Sequence, residues 1–250
     1  MMAAILRTAL WIGVIDALAG LAILGFLYTP ESNLLMLGVS ALLVVLTAAL
    51  LLVSSSSGAY ALVHRVAPWR AIGPAMRRLL PVLVGIAVIG LVCGAAGWFE
   101  SWWTARAGQV DAAAIVAGDI TNTRPIHRAV HWAVAFVQWV MVPAWLATCL
   151  AWAAAYERRD VLSLKWLTAG LHWRVLLVTA VGVALLVWLP WRYIYWRPRG
   201  LSASTVELVF LGAKLLVIYL LTQIAWAITL QVAARRVTPS VPVTAPPPPA

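Results

Sequence analysis

The chain has 250 residues, is 64% hydrophobic and only 10% charged, and has a mean hydropathy of +0.94. A water-soluble domain carries about 25% charged residues, and here the apolar residues run in long blocks, so membrane-crossing helices are expected instead of a soluble core. The formal net charge of +10 comes from arginines that flank those blocks without forming a basic face; this points to phospholipid head groups and away from nucleic acid.

In chain order, Arg7 precedes an apolar run that predicts a first span over about residues 9–28. The run exceeds the roughly 7–15 residues of a signal-peptide core, and the sequence Tyr28-Thr29-Pro30-Glu31 is a poor cleavage site, so the helix is expected to be retained. A turn at Thr29 to Asn33 leads to a second span, 34–53, and Ser54 to Ser57 reads as a polar hinge. Leu62, Val66, Trp69, Ile72, Met76 and Leu79 then fall at helical spacing, with Arg70 and Arg77 off that stripe and Pro68 and Pro74 as breaks. This is the pattern of an amphipathic elbow lying in the membrane interface.

The third span is predicted at 79–99, with Gly90 and Gly94 as a GxxxG pair and Gly97 beside them. Glu100 to Thr123 is the longest polar stretch and predicts a short separate helix near Val110 to Ala117. Pro125 suits the first turn of a helix running from Ile126 to about Tyr156. That helix contains the fourth span, 132–152, and Pro143 predicts a kink in it. A second charged amphipathic elbow, Glu157 to Arg174, precedes the fifth span, 175–191, and an aromatic and basic loop precedes the sixth, 206–230. The expected fold is all-α: residues 1–236 form six transmembrane helices with two cytoplasmic interfacial amphipathic helices, and residues 237–250 are a disordered proline-rich tail.

With the N-terminus inside, the inner segments hold 11 Lys and Arg residues and the outer segments hold 6. That bias predicts both termini in the cytoplasm. Tryptophans cluster near both sets of helix ends, Trp166 among the inner ones, as aromatic belts require. An internal correspondence at an offset of 95 maps Trp69 onto Leu164, Arg70 onto Lys165 and Met76 onto Leu171, which suggests a parallel repeat.

Three groups of residues are candidates for chemistry. Asp16 and Lys214 are the formal charges well inside spans, where a lone charge costs at least about 2.5–3.5 kcal/mol; they read either as an ion pair lining a path or as structural groups, Lys214 reaching toward Glu207. His127 and His131, four apart, could share a metal only with help from Glu100, Asp111 or Asp119, and otherwise bond to lipid or loop. Arg124, Arg128, Arg192, Arg197 and Arg199, with Trp191 and Tyr193, could hold an anionic lipid head group or solute, or simply anchor the outer interface. Cys93 and Cys149 lie at different depths and read as free thiols. There is no GxSxG, HExxH or phosphate-loop motif, so no catalytic residue and no cofactor is expected.

The elbow PWRAIGPAMRRLLPVL, and WRPRGLSAST followed by VELVFLGAKLLVIYLL, resemble uncharacterised bacterial polytopic inner-membrane proteins with basic elbow helices. The resemblance implies a bacterial inner-membrane setting and no activity. Two functions are expected to compete. One is a subunit or scaffold working with membrane lipids and a membrane-protein partner or second copy. The other is a small permease or anion-binding protein.

Overall fold

The computed structural model of the chain describes residues 2–30, 33–117, 124–156, 164–194 and 204–238, and only the backbone at 111–117, 124–125, 127 and 204–206. Every element among them is helical. In order they are α1 (Met2–Tyr28), α2 (Leu34–His64), a 3-10 turn (Pro68–Ala71) leading into α3 (Ile72–Met76), α4 (Leu79–Ala117) and α5 (Arg124–Phe136). A π segment (Val137–Met141) joins α5 to α6 (Val142–Ala155); α7 (Lys165–Gly170) and α8 (Trp173–Gly182) follow. A second π segment (Val183–Trp188) joins α8 to α9 (Leu189–Tyr193), and α10 (Ser204–Val237) closes the series. Among the described residues, six stretches are long and apolar enough to cross a membrane: Met2–Tyr28, Leu34–His64, Leu79–Val110, Arg128–Ala155, Trp173–Tyr193 and Glu207–Val237. They are called helices one to six below. Five of them contain the segment predicted at that place, the sixth begins at Glu207 against a predicted start at 206, and α10 extends to Val237; the tail beyond residue 238 lies outside the described residues.

Two departures from the sequence reading have simple causes. The expected hinge at Ser54 to Ser57 is continuous helix, because the serines bond back into it: Ser57 Oγ donates to the Val53 carbonyl at 2.6 Å, and Ser54 Oγ lies 3.0 Å from that of Leu51. Helix two begins where the Asn33 side chain accepts from the Met36 N–H at 2.9 Å, and it ends at Arg65 in the left-handed region, φ 57°. The second departure is in helix three. Instead of stopping near Phe99, with a separate short helix later, α4 continues unbroken to Ala117. Glu100, Arg106 and the alanines are good helix formers and no proline intervenes, so α4 is about 58 Å long at 1.5 Å per residue.

Pro143 does not break helix four. Proline lacks the N–H and crowds the carbonyl four residues back; here the helix widens to π geometry over Val137–Met141, just before it. Pro190 follows the π segment Val183–Trp188 in the same way.

Helices four and six occupy the centre. Helix four packs on two, three, six and α7, and helix six on one, two, four and five. Ala144, Ala147, Ala151 and Ala153 on helix four are buried, and such small side chains allow close approach. Ile12, Leu62, Val82, Trp145, Cys149 and Leu230 fill the space between helices. The Tyr156 hydroxyl donates to the Val237 carbonyl at 3.0 Å, so helices four and six end together. Helix one starts at that end too, with Ile5 and Ala9 against Ala227.

Both elbows lie at this end, and each packs back on the helix before it, the first on helix two and the second on helix four. At the offset of 95 their burial agrees. Ala71 and Trp166 are buried, as are Ala75 and Gly170, while Trp69 and Leu164, Arg70 and Lys165, and Met76 and Leu171 are exposed. Trp166 is therefore not a belt residue: it is fully buried, against the open side of Gly85 on helix three.

Candidate functional site

Helices one, two and six meet along a polar seam. Tyr219, Gln223 and Trp226 recur at four- and three-residue steps and so share one face of helix six. That face meets Gly13 and Asp16 of helix one and the serines of helix two. A Cβ on Gly13 would stand 3.6 Å from Gln223 Cγ, so this glycine lets the amide lie close to helix one. A Cβ on Gly58 would come within 3.0 Å of Ile12 Cδ1, so helix two approaches just as tightly.

Within the seam, Ser54 Oγ lies 2.6 Å from Asp16 Oδ1, and the Gln223 side chain hydrogen-bonds the same carboxyl group. The Tyr219 hydroxyl donates to the Gly13 carbonyl. Trp11 Nε1 donates to Ser57 Oγ at 2.9 Å, and Trp226 Nε1 to Ser55 Oγ at 3.3 Å. Asp16 is half-buried and Gln223 buried. The partners Ser54, Tyr219 and Gln223 were not among the residues expected from sequence. The available signal was Gln223 itself, an amide in the middle of an apolar run, one turn from Tyr219.

Asp16 and Lys214 have separate partners. Lys214 Nζ donates to the Ile194 carbonyl at 3.3 Å and stands 4.4 Å from the Phe210 ring centroid. It precedes Gln223, the residue of helix six that meets Asp16, by nine residues, about 13 Å along the axis. The lysine thus turns to the end of helix five that carries Trp191, Arg192 and Tyr193, all exposed, with the Arg192 guanidinium 4.8 Å from the Trp188 ring centroid.

The rest of the expected anion site is not drawn together among the described residues. Arg128 is exposed on helix four, only the backbone of Arg124 is described, and Arg197 and Arg199 lie outside the described residues. His131 Nδ1 pairs with Glu100 Oε1 at 2.8 Å, joining helices three and four; the His127 side chain lies outside the described residues. No group of three or more potential metal ligands occurs among the described residues. Cys93 and Cys149 are both free thiols.

A second polar constellation closes the elbow end. Arg78 Nη1 donates to the carbonyls of Ala153, Ala154 and Tyr156 at 3.0, 2.6 and 3.2 Å, and His64 Nε2 lies 2.9 Å from the Ala154 carbonyl. These are the orphan carbonyls of a helix C-terminus, where a cation also complements the macrodipole. Comparison with protein-family models, with curated proteins and with solved structures gives no match for this chain.

Proposed function

We propose that the chain is a non-catalytic integral protein of the bacterial inner membrane, acting as a subunit or scaffold of a membrane complex. What carries this reading is the outer surface. Leu10, Val14, Leu21, Leu42, Leu91, Leu208 and Leu216 stand exposed on helices one, two, three and six, a face that only lipid or another apolar helix covers favourably. The charges inside are closed by the chain's own groups, Asp16 by Ser54 and Gln223, and Lys214 by Ile194. The 11-to-6 excess of Lys and Arg on the elbow side supports a reading with both termini in the cytoplasm and the elbows against its anionic leaflet.

Helix three supplies the partner face. Its Gly85 is used inside the chain, where a Cβ would fall 2.3 Å from Cys149 Sγ; Cβ atoms on Gly90, Gly94 and Gly97 would meet nothing within 4 Å. The test is extraction in native lipid followed by intact-complex mass spectrometry. The expected result is a complex with a second membrane protein or a second copy, lost in Gly94→Leu. A monomer carrying only lipid would overturn the scaffold reading.

One observation favours a second reading, an anionic lipid or solute held at the outer face. Lys214 is anchored beside the exposed Arg192, Trp191 and Tyr193. Co-purified anionic lipid that is lost in Arg192→Ala but retained in Gly94→Leu would select it.

A further inference from the structure

Ser54 has one hydroxyl proton and two acceptors in reach, Asp16 Oδ1 at 2.6 Å and the Leu51 carbonyl at 3.0 Å. It cannot serve both at once. When Asp16 is ionised, Ser54 donates to it. When Asp16 carries a proton, the carboxyl donates to Ser54, and Ser54 turns its own proton to Leu51. Gln223, the other partner of the carboxyl group, carries both a donor and an acceptor on its amide and suits either form. The site therefore keeps a complete set of hydrogen bonds with or without the proton, which a seam built only for rigidity would not need.

We propose that Asp16 is a proton-binding site, with Ser54 as the switching partner and Gln223 as the adaptable one. The charges around it leave this role open. The groups on it are Ser54 from helix two and Gln223 from helix six, and Tyr219, one turn before Gln223, is the titratable group close enough to feel its charge. Farther along these helices, the nearest titratable group on helix two is Tyr60, six residues beyond Ser54 and about 9 Å away along the axis, and the nearest cationic groups on helices one and six are Arg7, nine residues back, and Lys214, nine before Gln223, each about 13 Å away. Among the described residues no ion pair involves Asp16. A carboxylate in apolar surroundings without a cation is costly, and a bound proton removes that cost.

Along the seam, Ile12, Gly13 and Gly58 toward the elbows are buried in close contact, and in the other direction Ala19 on helix one and Ile218 on helix six are buried as well.

The test is labelling of the full chain, in lipid nanodiscs, with dicyclohexylcarbodiimide, an apolar reagent that attacks protonated carboxyl groups. Adducts are located by peptide mass. The expected result is an adduct at Asp16 at neutral pH, whose yield falls about tenfold per pH unit once the pH passes the titration midpoint. Asp16→Asn, its fold checked by circular dichroism, loses that adduct together with a carboxylic-acid carbonyl band in the infrared. Ser54→Ala keeps the adduct but moves its midpoint. Absence of an Asp16 adduct at every pH in folded protein would overturn the proposal. So would a yield that does not change from acid to alkaline pH, and so would an infrared acid band unaltered in Asp16→Asn.

Discussion

Arg78 donates to the Ala154 carbonyl at 2.6 Å, which ties the first residues of helix three's approach to the last turn of helix four. The same nitrogen reaches Ala153 and Tyr156, and His64 shares the Ala154 oxygen. Hydrogen bonds from a charged group contribute about 1.5–3 kcal/mol. Arg78→Ala is therefore expected to lower the detergent melting temperature by a clearly measurable step. Arg77→Ala, one residue earlier and exposed, is expected to have the smaller effect. Equal losses in the two variants would show that charge at this end matters only in bulk.

Glycine substitutions separate close packing from open surface. A Cβ at Gly170 would fall 2.7 Å from Trp145 Cδ1 and 3.3 Å from the Trp145 backbone, and one at Gly85 2.3 Å from Cys149 Sγ. Gly170→Ala and Gly85→Ala are expected to cost about 1–3 kcal/mol by overpacking. Gly90→Ala meets no atom within 4 Å, so only its helix-propensity gain of up to about 1 kcal/mol remains. Thermal unfolding of the three variants should put Gly90→Ala at or above the parent and the other two below it.

The two elbow tryptophans, which stand at different positions of their elbows, differ in burial. Trp166 is fully buried and Trp69 is 54% exposed. Trp166→Ala is expected to cost about 3–5 kcal/mol and to reduce the folded yield sharply. Trp69→Ala should leave monodisperse protein and weaken only retention on anionic vesicles. Similar yields for both would mean that Trp166 does not fill the space under helix three.

Asp16 and Lys214 should behave independently. Their contact points on helix six are about 13 Å apart, and effects at sites beyond about 7–10 Å add to within about 0.3–0.5 kcal/mol. The double variant Asp16→Asn/Lys214→Met is expected to show the sum of the single shifts in unfolding midpoint. Mutual rescue in the double variant would reveal an ion pair that forms in the membrane.

The six apolar blocks were legible because each is written in consecutive residues, and hydropathy marks them. At the offset of 95, Arg70 and Lys165 both stand exposed. Ser54 to Ser57 misled because a run of serines signals a turn in water; in an apolar helix the same hydroxyls bond to carbonyls a turn back. Glu100 and Arg106 misled in the opposite way, since charge suggested a loop where helix propensity prevailed. Gln223 stood out as an amide in an apolar run, but its pairing with Asp16 was beyond the sequence, because that depends on how helices one, two and six rotate against each other. A single chain without that rotation offers Lys214 as readily as Gln223.

Cys149 is sealed beneath Gly85, whereas Cys93, two turns further along helix three, is only half-covered. Nature has thereby given this molecule an internal gauge. A thiol reagent that tags one position per chain reports intact assembly, and a second tag per chain reports that helix three has lifted away from helix four. Every variant above can be graded on that scale without adding a probe.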